Sequence, residues 1–308
     1  MKLGITPWKP RERSAAGLTG QARQAEALGF HSFWLPESHF AADAIPEPLM
    51  PLAAVAAGTS RLKLGTTSFL LPLRNPLQAA EQVAVLDQLS NGRVILGVGR
   101  GYAPRMLKAF AVDPRDKRSL FQSSLERMIL AWSGIPLPVD GLAGDAITLD
   151  PLPVQKPHPP VWVAAFGPKA LTQAGHLGLP YLASPVEPLE VLARNYQRHR
   201  AAARDCGRPE PVDVPVMRAL FLTDDARETA LVRDAVREQA RAAGRLPEGT
   251  AVEDWSIVGE ASYLRERVEE YRQRLGLTHL IVARLRIRGL EDARVTRSVA
   301  RAVEILGS

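Results

Sequence analysis

The feature that most constrains the fold is an alternation of short apolar runs with longer segments of helical period. Such alternation is typical of parallel strands that are joined by crossover helices. We therefore expect an α/β protein. The predicted strands cover residues 3–6, 32–35, 63–70, 94–98, 161–165, 181–183, 214–222 and 279–284.

Segments of helical period lie between these strands, and one more follows the last strand. The predicted helices cover residues 19–28, 48–57, 76–89, 119–132, 168–177, 188–203, 225–243 and 291–306. Asn75 before Pro76 is a good N-cap followed by a proline at the first helical position, and Asn91-Gly92 is a good stop. No break in composition divides the chain. The alternation of strands and helices therefore favours a single (β/α)₈ TIM barrel over residues 1–308 rather than an open doubly wound sheet.

Two stretches interrupt the alternation and are predicted as insertions. Between strands 4 and 5, residues 134–160 are rich in proline and include a short predicted strand at 146–149. Between strands 7 and 8, residues 244–260 precede an additional helix at 261–275. Long insertions of this kind often serve as lids or binding loops.

Composition and charge exclude several classes of protein. With 46% hydrophobic and 23% charged residues, the chain is neither disordered nor a disulfide scaffold, and it has only one cysteine. Its net charge of +6 comes from arginines that are interleaved with acidic residues, whereas nucleic-acid binding needs a contiguous basic stripe. The chain lacks an apolar run of about 20 residues and a signal-peptide pattern. We expect a cytoplasmic protein without nucleic-acid, membrane or metal binding.

The second strand is followed by a candidate catalytic segment. In a barrel, chemistry takes place where strands end and loops begin. There the sequence reads Trp34-Leu35-Pro36-Glu37-Ser38-His39-Phe40. A lone histidine is more often a core or surface group than a catalyst, but His39 stands at a strand end beside Glu37. We treat His39 and Glu37 as candidate catalytic residues, whereas the turn at 70–76 is explained by its structure alone.

Two other strand ends favour an anion. Glycines let a ligand approach the backbone, and an arginine between them can hold a phosphate with two hydrogen bonds. The amides and dipole at a helix N-terminus also attract anions. The spacing is not a dinucleotide fingerprint. Together these loops predict a phosphorylated cofactor, held by Gly99, Arg100, Gly101 and Tyr102 after strand 4 and by Phe166, Gly167, Pro168, Lys169 and Ala170 after strand 5.

Four segments resemble the bacterial luciferase-like monooxygenase superfamily of flavin- and F420-dependent (β/α)₈ barrels. They are "LGFHSFWLPESHF", "RLKLGTTSFLLPLRNPLQAAEQVAVLDQLSNGRVILGVGRGY", "VQKPHPPVWVAAFGPKALTQAGHLGLP" and "IVGEASYLRERVEEYRQRLGLTHLIV". The second segment is the most specific, because an A-E-Q-x-A-x-L-D-x-L-S-x-G-R helix leads into G-x-G-R-G. The resemblance runs through nearly the whole chain.

The resemblance implies a role for each matched residue in cofactor binding. Arg100 and Arg118 match arginines that contact the flavin phosphate, and Gly167 with the following amides matches the phosphate loop. Without the resemblance, Arg118 reads as a helix-start arginine that pairs with an acidic neighbour on the surface. The residues implied to lie near the flavin ring are Thr6, Gly99, Thr67 and Ser68, and the Thr67–Ser68 peptide bond is expected to be cis.

The implied function depends on one departure from the family pattern. Ser38 stands where luciferases carry a histidine, so light emission from long-chain aldehydes is not expected. The resemblance implies a two-component monooxygenase that uses O₂ and reduced FMN from a separate flavin reductase on a small organic substrate. Coenzyme F420-dependent hydride transfer is the alternative, and a non-catalytic flavin-binding barrel is the third. Arg100 matches the FMN branch.

Aromatic residues near the strand ends are the candidate walls of the substrate pocket. They are Trp8, Phe40, Phe69, Tyr102 and Tyr181. Members of the family are often dimers through the helices that follow the second and third strands. The resemblance therefore also implies a homodimer.

Overall fold

The computed structural model describes residues 1–9, 12, 14–42, 44–139, 145–242, 249–283, 285, 287 and 289–307. The chain divides into two compact units. Unit 1 combines Met1–Trp34 with Ala165–Ser308, and unit 2 is Leu35–Ala164. In both units short parallel strands alternate with helices, which confirms the predicted α/β class.

The elements are numbered along the chain. The strands are β1 (Lys2–Ile5), β2 (Ser32–Leu35), β3 (Lys63–Thr66), β4 (Phe69–Leu70), β5 (Val94–Gly99), β6 (Leu137–Pro138), β7 (Ala146–Ile147), β8 (Val161–Ala164), β9 (Tyr181–Leu182), β10 (Pro215–Leu222), β11 (Ser256–Gly259) and β12 (His279–Ala283). The helices are α1 (Ala15–Leu28), α2 (Leu49–Gly58), α3 (Pro76–Leu89), α4 (Pro104–Ala109), α5 (Lys117–Trp132), α6 (Pro168–His176), α7 (Leu189–Asp205), α8 (Ala226–Ala242), α9 (Ala261–Leu275) and α10 (Asp292–Gly307). Among the described residues, no helix is long and apolar enough to cross a membrane.

Each predicted helix is present, and local signals explain the two that match residue for residue. The Asn75 side chain accepts hydrogen bonds from the amides of Leu77 and Gln78 and so caps α3. Gly276 has a φ of 74° and ends α9 in the left-handed conformation that glycine adopts most easily. The short helix α4 was not predicted.

The sheet of unit 1 is parallel and has the order β11-β10-β12-β1-β2. The first half of β10 pairs with β12, from Pro215↔His279 to Ala219↔Ala283. Its second half pairs with β11, ending at Leu222↔Gly259. All residues of β10 are buried, so this strand lies in the core of the unit.

The predicted insertion between strands 7 and 8 is wrong in its second half, because that part belongs to the sheet. Residues 256–259 form β11, which runs parallel to β10 and leads into α9. Pairing with β10 is what stabilises β11. Residues 244–248 lie outside the described part of the chain.

In unit 2, β5 pairs in parallel with β3 and β8. The predicted strand 63–70 is two strands, interrupted at Thr67–Ser68, whose peptide bond is cis as the resemblance implies. The second of these strands, β4, continues along β5 with Leu70 opposite Gly99. In the predicted insertion between strands 4 and 5, β6 and β7 form an antiparallel pair, and residues 140–144 are not described.

Candidate active site

The segment after β2 forms a hydrogen-bonded cluster around Glu37. The Glu37 side chain is fully buried, and its Oε1 lies 2.8 Å from His39 Nε2. The same oxygen accepts a 2.8 Å hydrogen bond from Arg74 Nη1, while Oε2 accepts one from the Leu70 amide at 2.8 Å. Both carboxylate oxygens are therefore occupied. We name Arg74, Glu37 and His39 the Glu37 cluster.

Two opposing effects act on Glu37. Burial is the larger effect and raises the pKa of its carboxyl above the usual value. The Arg74 guanidinium opposes this rise, as do the hydrogen bonds from Leu70 and His39. The arrangement suits a carboxylate that orients a neighbouring ring rather than one that exchanges protons with a substrate.

His39 has one ring nitrogen bonded to Glu37, and 8% of its side chain is exposed. Its Nε2 faces Glu37, and Nδ1 has no hydrogen-bond partner within the described ranges. The ring packs edge-on against Phe110 with centroids 4.8 Å apart, and against Phe40 at 5.9 Å. Phe40 is 74% exposed although it is a large apolar residue, and Phe110 is also exposed. His39 can therefore exchange a proton through Nδ1 beside two apolar rings.

Arg74 and Phe110 were missed as site residues by the sequence analysis. Arg74 falls in the turn after β4, which had been explained by its N-cap signal. Phe110 is the C-cap residue that follows α4, a helix that was not predicted. Both come from segments distant in sequence from His39. A charged residue in the turn after a strand was the available signal, and it applied to Arg74.

A second cluster of predicted residues lies at the end of β5. Arg100 is buried and donates a hydrogen bond from Nη1 to the Ala164 carbonyl at 3.0 Å. Its guanidinium carbon stands 4.3 Å from the centre of the Phe121 ring. Burial, together with the positive charge of Arg118, lowers the pKa of Arg100 to about 10. Arg118 is exposed in the first turn of α5. The two charges lie close enough to repel each other, which an anion would relieve.

The backbone around Arg100 is shaped by close contacts. A Cβ atom on Gly99 would collide with the Ser68 side chain, so only glycine fits beside the cis dipeptide. Gly101 has a φ of 70°, and a Cβ there would lie 2.9 Å from the Met106 methyl. Thr67 donates its amide to Leu35 at 2.9 Å. The structure thus brings Ser68 and Gly99 together, while Tyr102 is exposed.

The phosphate loop predicted in unit 1 has free space around its first glycine, Gly167. Gly167 is the N-cap of α6, with a φ of 82° that glycine tolerates best. A Cβ atom on Gly167 would meet nothing within 4 Å. Phe166, Pro168 and Lys169 are exposed, and the Ala170 amide donates to the Gly167 carbonyl at 3.2 Å.

The other predicted residues are buried and hydrogen-bonded or packed within their own units. Thr6 donates its amide to Val282 at 2.9 Å, and Trp8 Nε1 donates to Thr296 Oγ1 at 3.0 Å. Tyr181 donates its hydroxyl to a carboxylate in the core. Phe69 lies fully buried under the Arg74 guanidinium. Their roles in cofactor or substrate binding stay predictions.

Comparison with known proteins identifies the family. The sequence model described as luciferase-like monooxygenase matches residues 4–279. The chain belongs to the luciferase-like monooxygenase family. This confirms the resemblance inferred from the sequence.

Similar proteins include a flavin-dependent monooxygenase component, and an F420-dependent protein shares the fold. The oxygenase component of a flavin-dependent trigonelline monooxygenase from Acinetobacter baylyi is 26% identical over 66% of this chain and 58% of its own length. The monooxygenase RslO1 from Streptomyces bottropensis has a TM-score of 0.83 and 25% identity over 99% of this chain and 98% of its own. The coenzyme F420-dependent tetrahydromethanopterin reductase of Methanopyrus kandleri shares the fold, with a TM-score of 0.73 and 19% identity over 100% and 97% of the two chains. The chain spans between 47% and 64% of the length of three of the curated relatives that it matches.

Proposed function

We propose that this chain is the oxygenase component of a two-component monooxygenase, which uses reduced FMN and O₂ to oxygenate a small apolar substrate. The observation that carries the proposal is the buried Arg100 guanidinium, which is held beside the positive charge of Arg118 at the end of β5. Two cations near a glycine-lined strand end fit a phosphate monoester. Similarity to RslO1 over 99% of the chain supports a single (β/α)₈ barrel as the scaffold.

The cofactor would supply the redox chemistry, since bound reduced flavin activates O₂. The residues that would hold its phosphate are Arg100 and Arg118. Ser68 and Gly99, which pack against each other at the end of β5, would lie next to its ring. The fit of these residues to a flavin phosphate is the reason to prefer FMN.

The protein's own contribution to the reaction is proton transfer and orientation of the substrate. Glu37 fixes Nε2 of His39, so Nδ1 is the atom that accepts or returns a proton. The exposed rings of Phe40 and Phe110, 5.6 Å apart, provide an apolar surface next to that nitrogen. We infer that the substrate is an uncharged apolar molecule with a polar group that reaches Nδ1.

The source of the reduced flavin is a further part of the proposal. The relative from Acinetobacter baylyi is named as the oxygenase component of its system. By analogy, a separate flavin reductase supplies reduced FMN to this chain. The homodimer implied by the sequence stays a prediction.

The test is a titration of the purified protein with FMN, reduced FMN and F420 in parallel, followed by the same titrations of Arg100→Ala. We expect this variant to weaken binding of FMN by about 2 to 4 kcal/mol, because a buried charge-assisted pair loses one partner. Riboflavin, which lacks the phosphate, should lose far less. Arg115→Ala is the matched control, since Arg115 is exposed and pairs with Asp113.

The outcomes separate the candidate functions. Equal losses for FMN and riboflavin would contradict the phosphate role of Arg100. Tighter binding of F420 than of either FMN form would favour hydride transfer instead of oxygenation. Binding of reduced FMN without O₂-dependent turnover over a panel of apolar substrates would indicate a flavin-binding protein without catalysis.

A further inference from the structure

We propose that Arg74 is a positioning residue, which keeps Glu37 ionised and correctly oriented so that His39 presents Nδ1 to the substrate. This inference rests on the proposed role of His39. Arg74 makes no contact with the His39 ring among the contacts of the described residues, so its effect passes through the Glu37 carboxylate.

Arg74 is held rigidly from several directions. Its Nη1 donates to Glu37 Oε1 at 2.8 Å and to the Leu70 carbonyl at 3.0 Å. Its Nη2 donates to Glu47 Oε2 at 3.2 Å. The guanidinium carbon lies 3.9 Å from the centre of the Phe69 ring, and only 13% of the side chain is exposed. A side chain fixed in this way can define the orientation of its partner.

The charge of Arg74 is as important as its geometry. A carboxylate in a fully buried position loses its hydration and tends to become protonated. A protonated Glu37 would have an O–H donor and would compete for the bond that now fixes Nε2 of His39. The groups that face Glu37 are His39, Arg74 and the Leu70 amide, with Glu47 on the other side of Arg74. Arg74 is the group among them that carries a permanent positive charge.

A purely structural role for Arg74 makes a different prediction. In that case its bond to the Leu70 carbonyl would stabilise the turn after β4, and its loss would lower stability without changing proton transfer. The chain offers a matched control in Glu47→Gln. This variant weakens the second ion pair of Arg74 but leaves the Glu37 cluster intact, and the glutamine retains an oxygen for the Leu49 amide.

The first experiment measures turnover with reduced FMN as a function of pH for Arg74→Gln, Arg74→Lys and Glu47→Gln. Without the positive charge, the Glu37–His39 pair should take up a proton at higher pH. We expect the acid limb of the profile for Arg74→Gln to move up by about one pH unit, with about tenfold lower turnover below that limb. The acid limb for Arg74→Lys should shift less in the same direction, because lysine keeps the positive charge but lacks the planar guanidinium with its several donors. Glu47→Gln should match the unaltered protein.

The second experiment needs no activity. Nitrogen NMR of labelled histidine, assigned with His39→Gln, reports the protonation and tautomer of the His39 ring in the folded protein. In Arg74→Gln the His39 signals should change at a higher pH than in the unaltered protein, because the Glu37–His39 pair takes up its proton there. If that variant does not fold, Arg74→Lys is measured instead and should show a smaller shift. Unchanged His39 signals in the folded variant would overturn the proposal, even if its melting temperature fell.

The two experiments also separate this inference from the proposed function. Shifted His39 signals in a protein that never turns over with reduced FMN would contradict the monooxygenase proposal and support the role of Arg74. Normal turnover with unchanged His39 signals in Arg74→Gln would support the monooxygenase proposal and contradict the role of Arg74.

Discussion

Two buried clusters in this chain each combine a glutamate, an arginine and a ring-bearing donor, but in only one of the two does a ring nitrogen lack a hydrogen-bond partner among the described residues. In the Glu37 cluster of unit 2, the last member is His39, whose Nδ1 lies beside exposed aromatic rings. In unit 1, Glu187 accepts hydrogen bonds from the Tyr181 hydroxyl at 2.7 Å and from Asn195 at 2.8 Å. We name Tyr181, Glu187, Asn195 and Arg218 the Glu187 cluster.

The Glu187 cluster is closed on itself. Arg218 is fully buried and donates to the Tyr271 hydroxyl at 2.6 Å and to the Glu187 carbonyl at 2.8 Å. Burial and the negative charge of Glu187 raise the pKa of Tyr181 well above its usual value, so its hydroxyl stays a donor. A buried charged cluster is therefore not by itself a catalytic site. The difference lies in whether its last titratable group can reach a ligand.

The largest effect that tests this comparison is on stability. Arg218→Met should lower the free energy of unfolding by about 3 to 5 kcal/mol, because Glu187 and several carbonyls lose their buried cation. Urea unfolding measures this change. Arg204→Gln is the control, since Arg204 forms an exposed ion pair with Glu210 and should cost less than about 1 kcal/mol. A loss for Arg218→Met no larger than for the control would mean that the Glu187 cluster is not structural.

The next largest effect is on turnover. His39→Gln keeps the size and hydrogen bonding of the side chain but cannot take up a proton. We expect a loss of about 10² in turnover, with cofactor affinity and stability nearly unchanged. His176→Gln serves as the control because His176 is exposed at the end of α6. If His39→Gln retained both turnover and pH profile, the open cluster would have no part in proton transfer.

The smallest expected effect concerns His279, a second buried histidine. Burial, with the positive charge of Lys2, lowers the pKa of His279 to about 3. A folded-state pKa below the unfolded value of about 6.5 stabilises the protein above that pH, and this stability is lost as the pH falls towards 3. Between pH 7 and 5 we expect His279 to account for about 2 kcal/mol of lost stability.

Urea unfolding at both pH values, compared between the unaltered protein and His279→Gln, isolates this contribution. The difference in stability between the two proteins should shrink as the pH falls. A difference that does not depend on pH would show that His279 titrates alike in the folded and unfolded chains.

Several features of this protein were determined by the sequence itself. The α/β class, the bounds of α3 and α9, and the family followed from periodicity, caps and motifs, all of which act between residues a few positions apart. Gly99 was singled out for the same reason, and the structure adds that Ser68 packs against it.

Tertiary structure alone decided the rest. β11 forms because β10 offers an edge to pair with, and the sequence of β11 does not indicate which strand will be its partner. Arg74 reaches Glu37 across 37 positions of sequence, and Arg218 reaches Glu187 across 31. Such contacts depend on which strand ends become neighbours, and no local pattern encodes that choice. For the same reason the sequence could not distinguish the open glutamate cluster from the closed one.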